Sequence, residues 1–269
     1  MYPRATHDSP GPLDHEGRPI DFGRTAADYD QHRPGFPVSM FERLASLGWI
    51  TRGLRAVDLG TGTGSLALGL ASRGLDVVGL DPSVALLEVA RRRALDAGLT
   101  ARFIEGRAED TTLSSASVDL VTAGQCWWWF DAKRALAEAR RLLVPAGRLL
   151  IANFSYLPVP ASVAGRTEGL VLEHNPGWPK AGESGLYETQ IRQLDAGGFR
   201  DVESFSYVES VVFTHEGWRG RIRACNGVGA ALSPGAVGAF DRDLAALLAA
   251  EFPEPLAVPH RVFVATGRP

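Results

Sequence analysis

Cysteine is scarce: Cys126 and Cys225 are the only two in 269 residues. They stand far apart and in no metal-type cluster, which argues against a disulfide framework and a cysteine-rich zinc site. The six histidines show no His-x-x-x-His or similar spacing, so no metal is expected. An excess of one charge is also missing. Lys and Arg number 28 against 31 Asp and Glu, a net charge of −3. That balance, with the basic residues dispersed, gives no basic groove for nucleic acid. The densest basic run, Arg91-Arg92-Arg93, falls on an expected helix near Glu88 and reads as a solvated face. No apolar stretch approaches the roughly twenty residues that span a bilayer. The polar N-terminus lacks the apolar core of a secretory signal. A cytoplasmic protein with no membrane partner is therefore expected.

What is present is a strong alternation of short apolar runs and helical patterns. The length suits one large α/β domain, or a core with a small cap. Residues 1–20, with Pro3, Pro10, Gly11, Pro12 and Pro19 among polar residues, read as a disordered tail. Residues 21–37 read as a short helix that ends before Pro34, then a turn. Val38 to Leu47 reads as an amphipathic helix with Met40, Leu44 and Leu47 on one face. Strands are expected at 54–59, 75–80, 101–105, 117–123 and 148–154, with helices at 64–73, 83–97 and 131–143. This order implies right-handed crossovers and a parallel sheet covered on both faces. A helix at 188–197 and strands at 202–212 and 261–267 resume the sheet. The intervening segments 156–187 and 214–258 read as two insertions that form a helical cap over the strand ends. The first holds a helix candidate from Val159 to Leu172 and a loop rich in Gly and Pro. The expected organisation is thus a core at 21–155, 188–213 and 259–269, interrupted by the two cap segments.

The most informative stretch is Val57-Asp58-Leu59-Gly60-Thr61-Gly62-Thr63-Gly64-Ser65. It follows an apolar run and opens a helical pattern, so it reads as strand, tight glycine turn, helix. Glycine is needed where the backbone takes unusual dihedrals or lets a ligand approach. Asp81 ends the next apolar run, where a carboxylate can accept hydrogen bonds from two ribose hydroxyls. A dinucleotide fingerprint would place its third glycine three residues after the second. Here the spacing is Gly60, Gly62, Gly64, which disfavours a nicotinamide oxidoreductase. Asp58, just before the turn, suits a cationic ligand such as an amino-acid ammonium better than a diphosphate. In an open α/β sheet the glycine turn, Asp81 and residues 106–110 would all lie beyond the carboxyl ends of the strands, where ligands bind.

This pattern resembles motif I of the class I S-adenosylmethionine-dependent methyltransferases, whose form is an acid, any residue, then Gly-x-Gly-x-Gly. The resemblance covers residues 21–155 well and the rest loosely. It is nearest to small-molecule methyltransferases related to the ubiquinone-biosynthesis C-methyltransferase group. It implies a Rossmann-like, seven-stranded, mostly parallel sheet with helices on both faces. The implied cofactor is S-adenosylmethionine, with S-adenosylhomocysteine as product. Tyr29 with Arg33-Pro34-Gly35-Phe36-Pro37 looks like the entry segment that folds over the donor in that family. The resemblance assigns Asp58, Gly60, Thr61, Gly62 and Gly64 to the amino-acid end of the donor, and Asp81 with Pro82 to the ribose. Ala108 and Glu109 are assigned to the adenine. Ser83 would also serve as a helix N-cap. Gly124 to Asp131 matches the stretch after strand four that faces the transferred methyl.

That last stretch departs from the pattern. Relatives often carry His-Trp-Phe there, and Trp128 fills the histidine position. Some rings of Trp127-Trp128-Trp129-Phe130 are expected in the core, while Trp127 and Trp128 are also candidates to line the acceptor site. Trp178 and Trp218, on the insertions, either pack the cap or touch an apolar acceptor. A base is needed only if the acceptor loses a proton. Candidates are His174 and His215 on the insertions, with His32 and Tyr29, each also readable as a structural residue. Gln125 is a candidate to touch the acceptor, the methyl region or the cofactor, or to cap a helix. The leading expectation is methyl transfer by in-line displacement to a small hydrophobic or aromatic molecule of secondary metabolism. A methyltransferase-like cyclase or isomerase, and a non-catalytic cofactor binder, are the alternatives. The oligomeric state leaves no trace in the sequence.

Overall fold

The computed structural model describes residues 31–269. The expected tail at 1–20, most of the short helix after it, and Tyr29 lie outside the described residues. The chain forms two compact units. The sheet unit comprises residues 35–154, 187–207 and 262–269. The helical unit comprises residues 155–186 and 208–261, together with the described residues up to Pro34.

In the sheet unit, helix α1 (Val38–Ser46) buries Met40, Phe41 and Leu44. Strand β1 (Arg55–Leu59) leads through the glycine turn into helix α2 (Ser65–Ala71). Strand β2 (Asp76–Asp81), helix α3 (Val84–Asp96) and strand β3 (Arg102–Glu105) follow. Next come strand β4 (Val118–Gly124), a single 3₁₀ turn at Trp127–Trp129, and helix α4 (Ala132–Leu142). Strand β5 (Leu143–Tyr156) continues directly from that helix and crosses into the helical unit. Helix α5 (Val163–His174) lies in the helical unit, and helix α6 (Glu188–Ala196) returns the chain to the sheet unit. Strand β6 (Arg200–Phe213) leads to helix α7 (His215–Arg223), helix α8 (Pro234–Glu251) and strand β7 (Leu256–Arg268).

The seven strands form one sheet in the order β3-β2-β1-β4-β5-β7-β6. The pairs β1–β2, β1–β4, β2–β3 and β4–β5 are parallel. Strands in such a sheet are covered on both faces and read as continuous apolar runs. Accordingly β1 and β2 are buried after their first residue. The strand order reverses between β1 and β4, which opens a crevice at their carboxyl ends. Asp58 on β1 is in register with Thr122 on β4. A buried carboxylate and a hydroxyl therefore meet inside an otherwise apolar layer.

Local chemistry sets the helix starts. Ser83 accepts the Leu86 amide and caps α3, as expected, and Asp131 accepts the Arg134 amide to cap α4. Ser162 caps α5 through the Gly165 amide. Helix α5 begins four residues later than the expected Val159, because the chain first turns at Pro160 and Ala161, with Ala161 at φ +62° and the Ser162 amide donating to the Val159 carbonyl at 3.0 Å. Strand β7 starts at Leu256, earlier than the expected 261, with the Pro259 carbonyl accepting the Leu157 amide at 2.8 Å. The basic run on α3 is only partly a solvated face. Arg91 donates to the Phe103 carbonyl at 2.8 Å, and Arg93 donates to the Thr63 carbonyl and hydroxyl, each at 3.2 Å.

Candidate active site

The glycine turn joins β1 to α2 with three residues in the left-handed region: Gly60 at φ +64°, Gly62 at +54° and Gly64 at +83°. Three such residues in five positions explain the glycine spacing, since side chains make this conformation costly. Gly60 and Gly62 carry different constraints. A Cβ at Gly60 would lie 2.9 Å from the Cys126 sulfur and 3.0 Å from the Phe130 ring. A Cβ at Gly62 would meet nothing within 4 Å. The turn is thus packed from beneath at Gly60 and open at Gly62.

Two carboxylates hold the turn. Asp58 is 1% exposed, and its oxygens accept the Thr61 and Thr122 hydroxyls at 2.7 Å each. Burial raises its pKa to about 6, against the opposing pull of these two hydrogen bonds. Asp58 therefore lies sealed under the turn and shapes it through Thr61. Asp81, at the end of β2, accepts the Gly62 amide through one oxygen and the Ser83 amide through the other, both at 2.9 Å. Burial raises its pKa as well. A carboxylate offers about four acceptor sites, so Asp81 keeps capacity for two further donors. A pair of vicinal hydroxyls would satisfy it. Pro82 follows directly and leads into the capped start of α3.

The ends of β3 and β4 supply the rest. Ala108 is buried. Glu109 accepts the Asp131 amide at 3.0 Å and lies 3.6 Å from the Arg107 guanidinium. Part of its acceptor capacity thus serves the start of α4. Gln125 has φ +57°, unusual for a side-chain-bearing residue. Its backbone amide donates to the Ala152 carbonyl at 2.9 Å, and its side-chain amide donates to the Phe154 carbonyl. Strain of this kind persists only where surrounding structure fixes it. Trp128 is partly exposed and stacks on Tyr187, with centroids 5.9 Å apart at 27°.

The comparisons with known proteins agree with this geometry. A family described as "Methyltransferase domain" matches residues 57–151. An uncharacterized methyltransferase of Mycobacterium tuberculosis (strain H37Rv) is 38% identical over 130 residues, covering 48% of this chain and 50% of the relative. The demethylmenaquinone methyltransferase of Clavibacter sepedonicus is 32% identical over 180 residues, covering 61% of this chain and 73% of the relative. The chain belongs to the class I S-adenosylmethionine-dependent methyltransferases. Its cofactor is S-adenosylmethionine. For several of the curated relatives, the M. tuberculosis protein among them, this methyltransferase spans about half of their length. A candidate type II methyltransferase from Anaeromyxobacter dehalogenans superposes with a TM-score of 0.67 at 27% identity, covering 88% of this chain and 97% of that one. A Haemonchus contortus phosphoethanolamine N-methyltransferase, solved with S-adenosylhomocysteine, shares the fold at TM-score 0.56 and 20% identity. The residues present fit the cofactor: the open side of Gly62 admits a ligand against the backbone, and Asp81 retains acceptor sites beside it.

Several candidate residues of the methyltransferase occupy other places. Trp127 is 2% exposed and donates its indole N–H to Gln193 at 2.8 Å, so it belongs to the core of the sheet unit rather than to an acceptor surface. Trp218 is fully buried in the core of the helical unit and donates to the Thr167 hydroxyl at 2.9 Å. Trp178 is 7% exposed and donates to Asn226 at 3.2 Å. Both rings pack their own unit, the other reading open to an insertion tryptophan. His174 pairs with Asp243 at 3.0 Å, and the His215 ring donates to the Phe252 carbonyl at 2.8 Å. His32 lies against Gly220, within the helical unit.

Three contributors escaped the sequence reading. Thr122 holds Asp58, Cys126 supports Gly60, and Tyr187 stacks on Trp128. A hydroxyl in the middle of the apolar run of β4 was the available signal for Thr122. Tyr187 had none, since it comes from a loop 59 residues beyond Trp128. Among the described residues no group of three or more His, Cys, Asp or Glu could hold a metal ion. Among them also, no helix is long and apolar enough to cross a membrane.

Proposed function

We propose that this methyltransferase transfers a methyl group by in-line displacement to a small hydrophobic or aromatic molecule of secondary metabolism. The observation that carries the reading is Trp128, a partly exposed ring braced by Tyr187 just past the end of β4. A braced indole face can hold a flat apolar acceptor by stacking. Relatives named for demethylmenaquinone support a small organic acceptor.

When bound, the cofactor supplies a methyl group on a sulfonium, already activated for displacement. The protein's part is then binding, orientation and exclusion of water. In this reading the backbone at Gly60, Gly62 and Gly64 lies against the amino-acid end of the donor. Asp81 accepts from the ribose hydroxyls, and Ala108 and Glu109 border the adenine. Gln125, pinned to the Phe154 carbonyl, orients groups near the methyl. His174 and His215 serve as bases only if the acceptor must lose a proton, and each would first have to leave its present partner.

The test begins with calorimetric titration of S-adenosylhomocysteine into the wild type and Asp81→Ala, with NADH as control. Binding that weakens at least about tenfold in the variant supports the site, as loss of charge-assisted hydrogen bonds predicts. An acceptor screen by mass spectrometry follows. A gain of one methylene identifies methyl transfer, whereas a product of unchanged mass would replace this reading with isomerisation. Binding without any turnover would leave a cofactor binder.

A further inference from the structure

A row of residues crosses the sheet unit beneath the glycine turn. Asp58 on β1 is in register with Thr122 on β4 and with Gly79 on β2, and Gly79 is in register with Phe103 on β3. Residues in register on parallel strands share one face, so these lie side by side. The neighbouring positions on β1, β2 and β4 are apolar: Val57, Val78 and Val121 before the row, Leu59, Leu80 and Ala123 after it. Thr122 is fully buried, and its hydroxyl donates to one Asp58 oxygen at 2.7 Å. The Thr61 hydroxyl donates to the other, also at 2.7 Å. Gly79 makes that second contact possible. A Cβ there would lie 2.8 Å from the Thr61 hydroxyl oxygen and 2.7 Å from the Phe103 ring. A glycine inside a strand marks a close approach of this kind. Both strands flanking β1 thus shape its contact with the turn.

Thr61 stands between the left-handed glycines Gly60 and Gly62. Its amide donates to the Leu80 carbonyl and its carbonyl accepts the Gly64 amide, each at 2.9 Å, while Asp58 holds its side chain. The next residue is Gly62, whose amide goes to Asp81 and beside which the space is open. Moving Thr61 therefore moves the backbone on the open side. Burying a carboxylate is unfavourable, and packing alone would be served better by an apolar residue at position 58. What the polar row provides instead is a hydrogen-bonded network that holds one local geometry. A turn held in its binding geometry before the ligand arrives loses less freedom on binding.

We propose that Thr122 and Gly79 are positioning residues for the methyl donor: acting through Asp58 and Thr61, they fix the Gly62 backbone against which the donor lies. This rests on the reading that places the donor at the glycine turn. Both residues are buried below the turn, so they act without touching the donor. A pH dependence follows from the same geometry. An ionised Asp58 accepts both hydroxyls, whereas a protonated one gives up acceptor capacity to its own proton. The titratable groups facing it are Asp81 from β2 and the Cys126 thiol from the turn after β4, and Arg93 of α3 reaches the glycine turn at Thr63. Burial pushes the Cys126 thiol up, so it stays neutral. The Thr122 hydrogen bond holds the Asp58 pKa down against burial, so removing it lets that pKa rise above about 6.

The experiment is calorimetric titration of the full chain with S-adenosylhomocysteine, with thermal melts of every variant. Thr122→Val keeps the shape and removes the hydroxyl, and should weaken binding about tenfold. Thr122→Ser keeps the hydroxyl and should bind within about twofold of the wild type. Gly79→Ala, which pushes Thr61 away, should also weaken binding, and it decides the matter should Thr122→Val not fold. Thr266→Val is the control. It removes another fully buried hydroxyl of the sheet unit, bonded to the Leu149 carbonyl, and should leave affinity unchanged even where its melt is lowered. Titrations from about pH 8 down to about pH 5 add a readout that lost packing alone would not move. Wild-type affinity should fall as Asp58 takes up its proton, and in Thr122→Val the fall should begin at a higher pH. Asp81 titrates in both proteins, so the difference between them reports on Asp58. Unchanged affinity in Thr122→Val or Gly79→Ala, an equal loss in Thr266→Val, or coincident pH profiles would overturn the proposal. Asp81→Ala shows which part has failed. If it weakens binding while Thr122→Val does not, the positioning role falls and the donor reading stands. If neither weakens binding, both fall.

Discussion

Asp58 is a carboxylate whose environment works against its charge. Burial raises its pKa from 3.8 to about 6, so the folded chain binds a proton more tightly than the unfolded chain does. The sign follows directly. The stabilising share is fully present below about pH 4 and is lost as pH rises through about 6. Asp58→Asn keeps partners for both threonine hydroxyls and removes the titration. Between about pH 4 and pH 7 the wild type should lose up to about 3 kcal/mol relative to this variant. Denaturant melts at several pH values check this, and parallel pH profiles would refute it. Glu138 behaves in the opposite way. The hydrogen bond from Arg141 holds it down to about 2, so its contribution is lost only as pH falls from about 4.5 towards 2.

At the scale of elements, the glycine turn separates a folding constraint from a binding one. Gly60→Ala must adopt φ +64° and push against Cys126 and Phe130. Gly62→Ala pays only for its left-handed backbone, about 1 kcal/mol, because the space beside it is open. Thermal melts should therefore rank Gly60→Ala as the more destabilised. Gly62→Ala should stay folded yet lose donor affinity, since its methyl occupies the side a ligand would approach. Equal stability loss with unchanged S-adenosylhomocysteine binding in Gly62→Ala would contradict this. Ser83→Ala removes the α3 cap and should cost about 1 kcal/mol by the same melts.

These elements were legible in sequence for a physical reason. Short continuous apolar runs, the 3.6-residue helical period, glycine punctuation and an N-cap serine are local signals, and β1, α2, β2 and α3 consist of little else. The tryptophan run was less legible. Three adjacent rings form a single 3₁₀ turn, so Trp127 points into the core while Trp128 remains partly exposed. No local pattern distinguishes them. Trp178 and Trp218 were ambiguous for the same reason: their indole partners, Asn226 and Thr167, lie far away in sequence.

At the scale of the molecule, each unit buries one group, Asp58 in the sheet unit and His260 in the helical unit, and the two respond to acid in opposite senses. His260, in the helical unit, is held neutral: burial lowers its pKa from 6.5 to about 4. The unfolded chain binds the proton more tightly, so this stabilisation is present above about pH 6.5 and is lost as pH falls through about 4. Over the same range Asp58 favours the folded sheet unit. Mild acid should therefore loosen the helical unit first. Hydrogen exchange at about pH 4.5, corrected for intrinsic rates, should show α5, α7 and α8 opening ahead of β1, β2 and β4. His260→Phe should narrow that gap, and uniform opening of both units would contradict the assignment.

The stretch matched by the methyltransferase family, residues 57–151, lies wholly inside the sheet unit. The helical unit is built mainly from two segments, 155–186 and 208–261, that leave and rejoin the chain along β5, β6 and β7. For an engineer this defines a pair of cassettes. Chimaeras that exchange both segments together with those of a relative should inherit donor binding intact, while exchanging one alone would split a hydrophobic core between two ancestries.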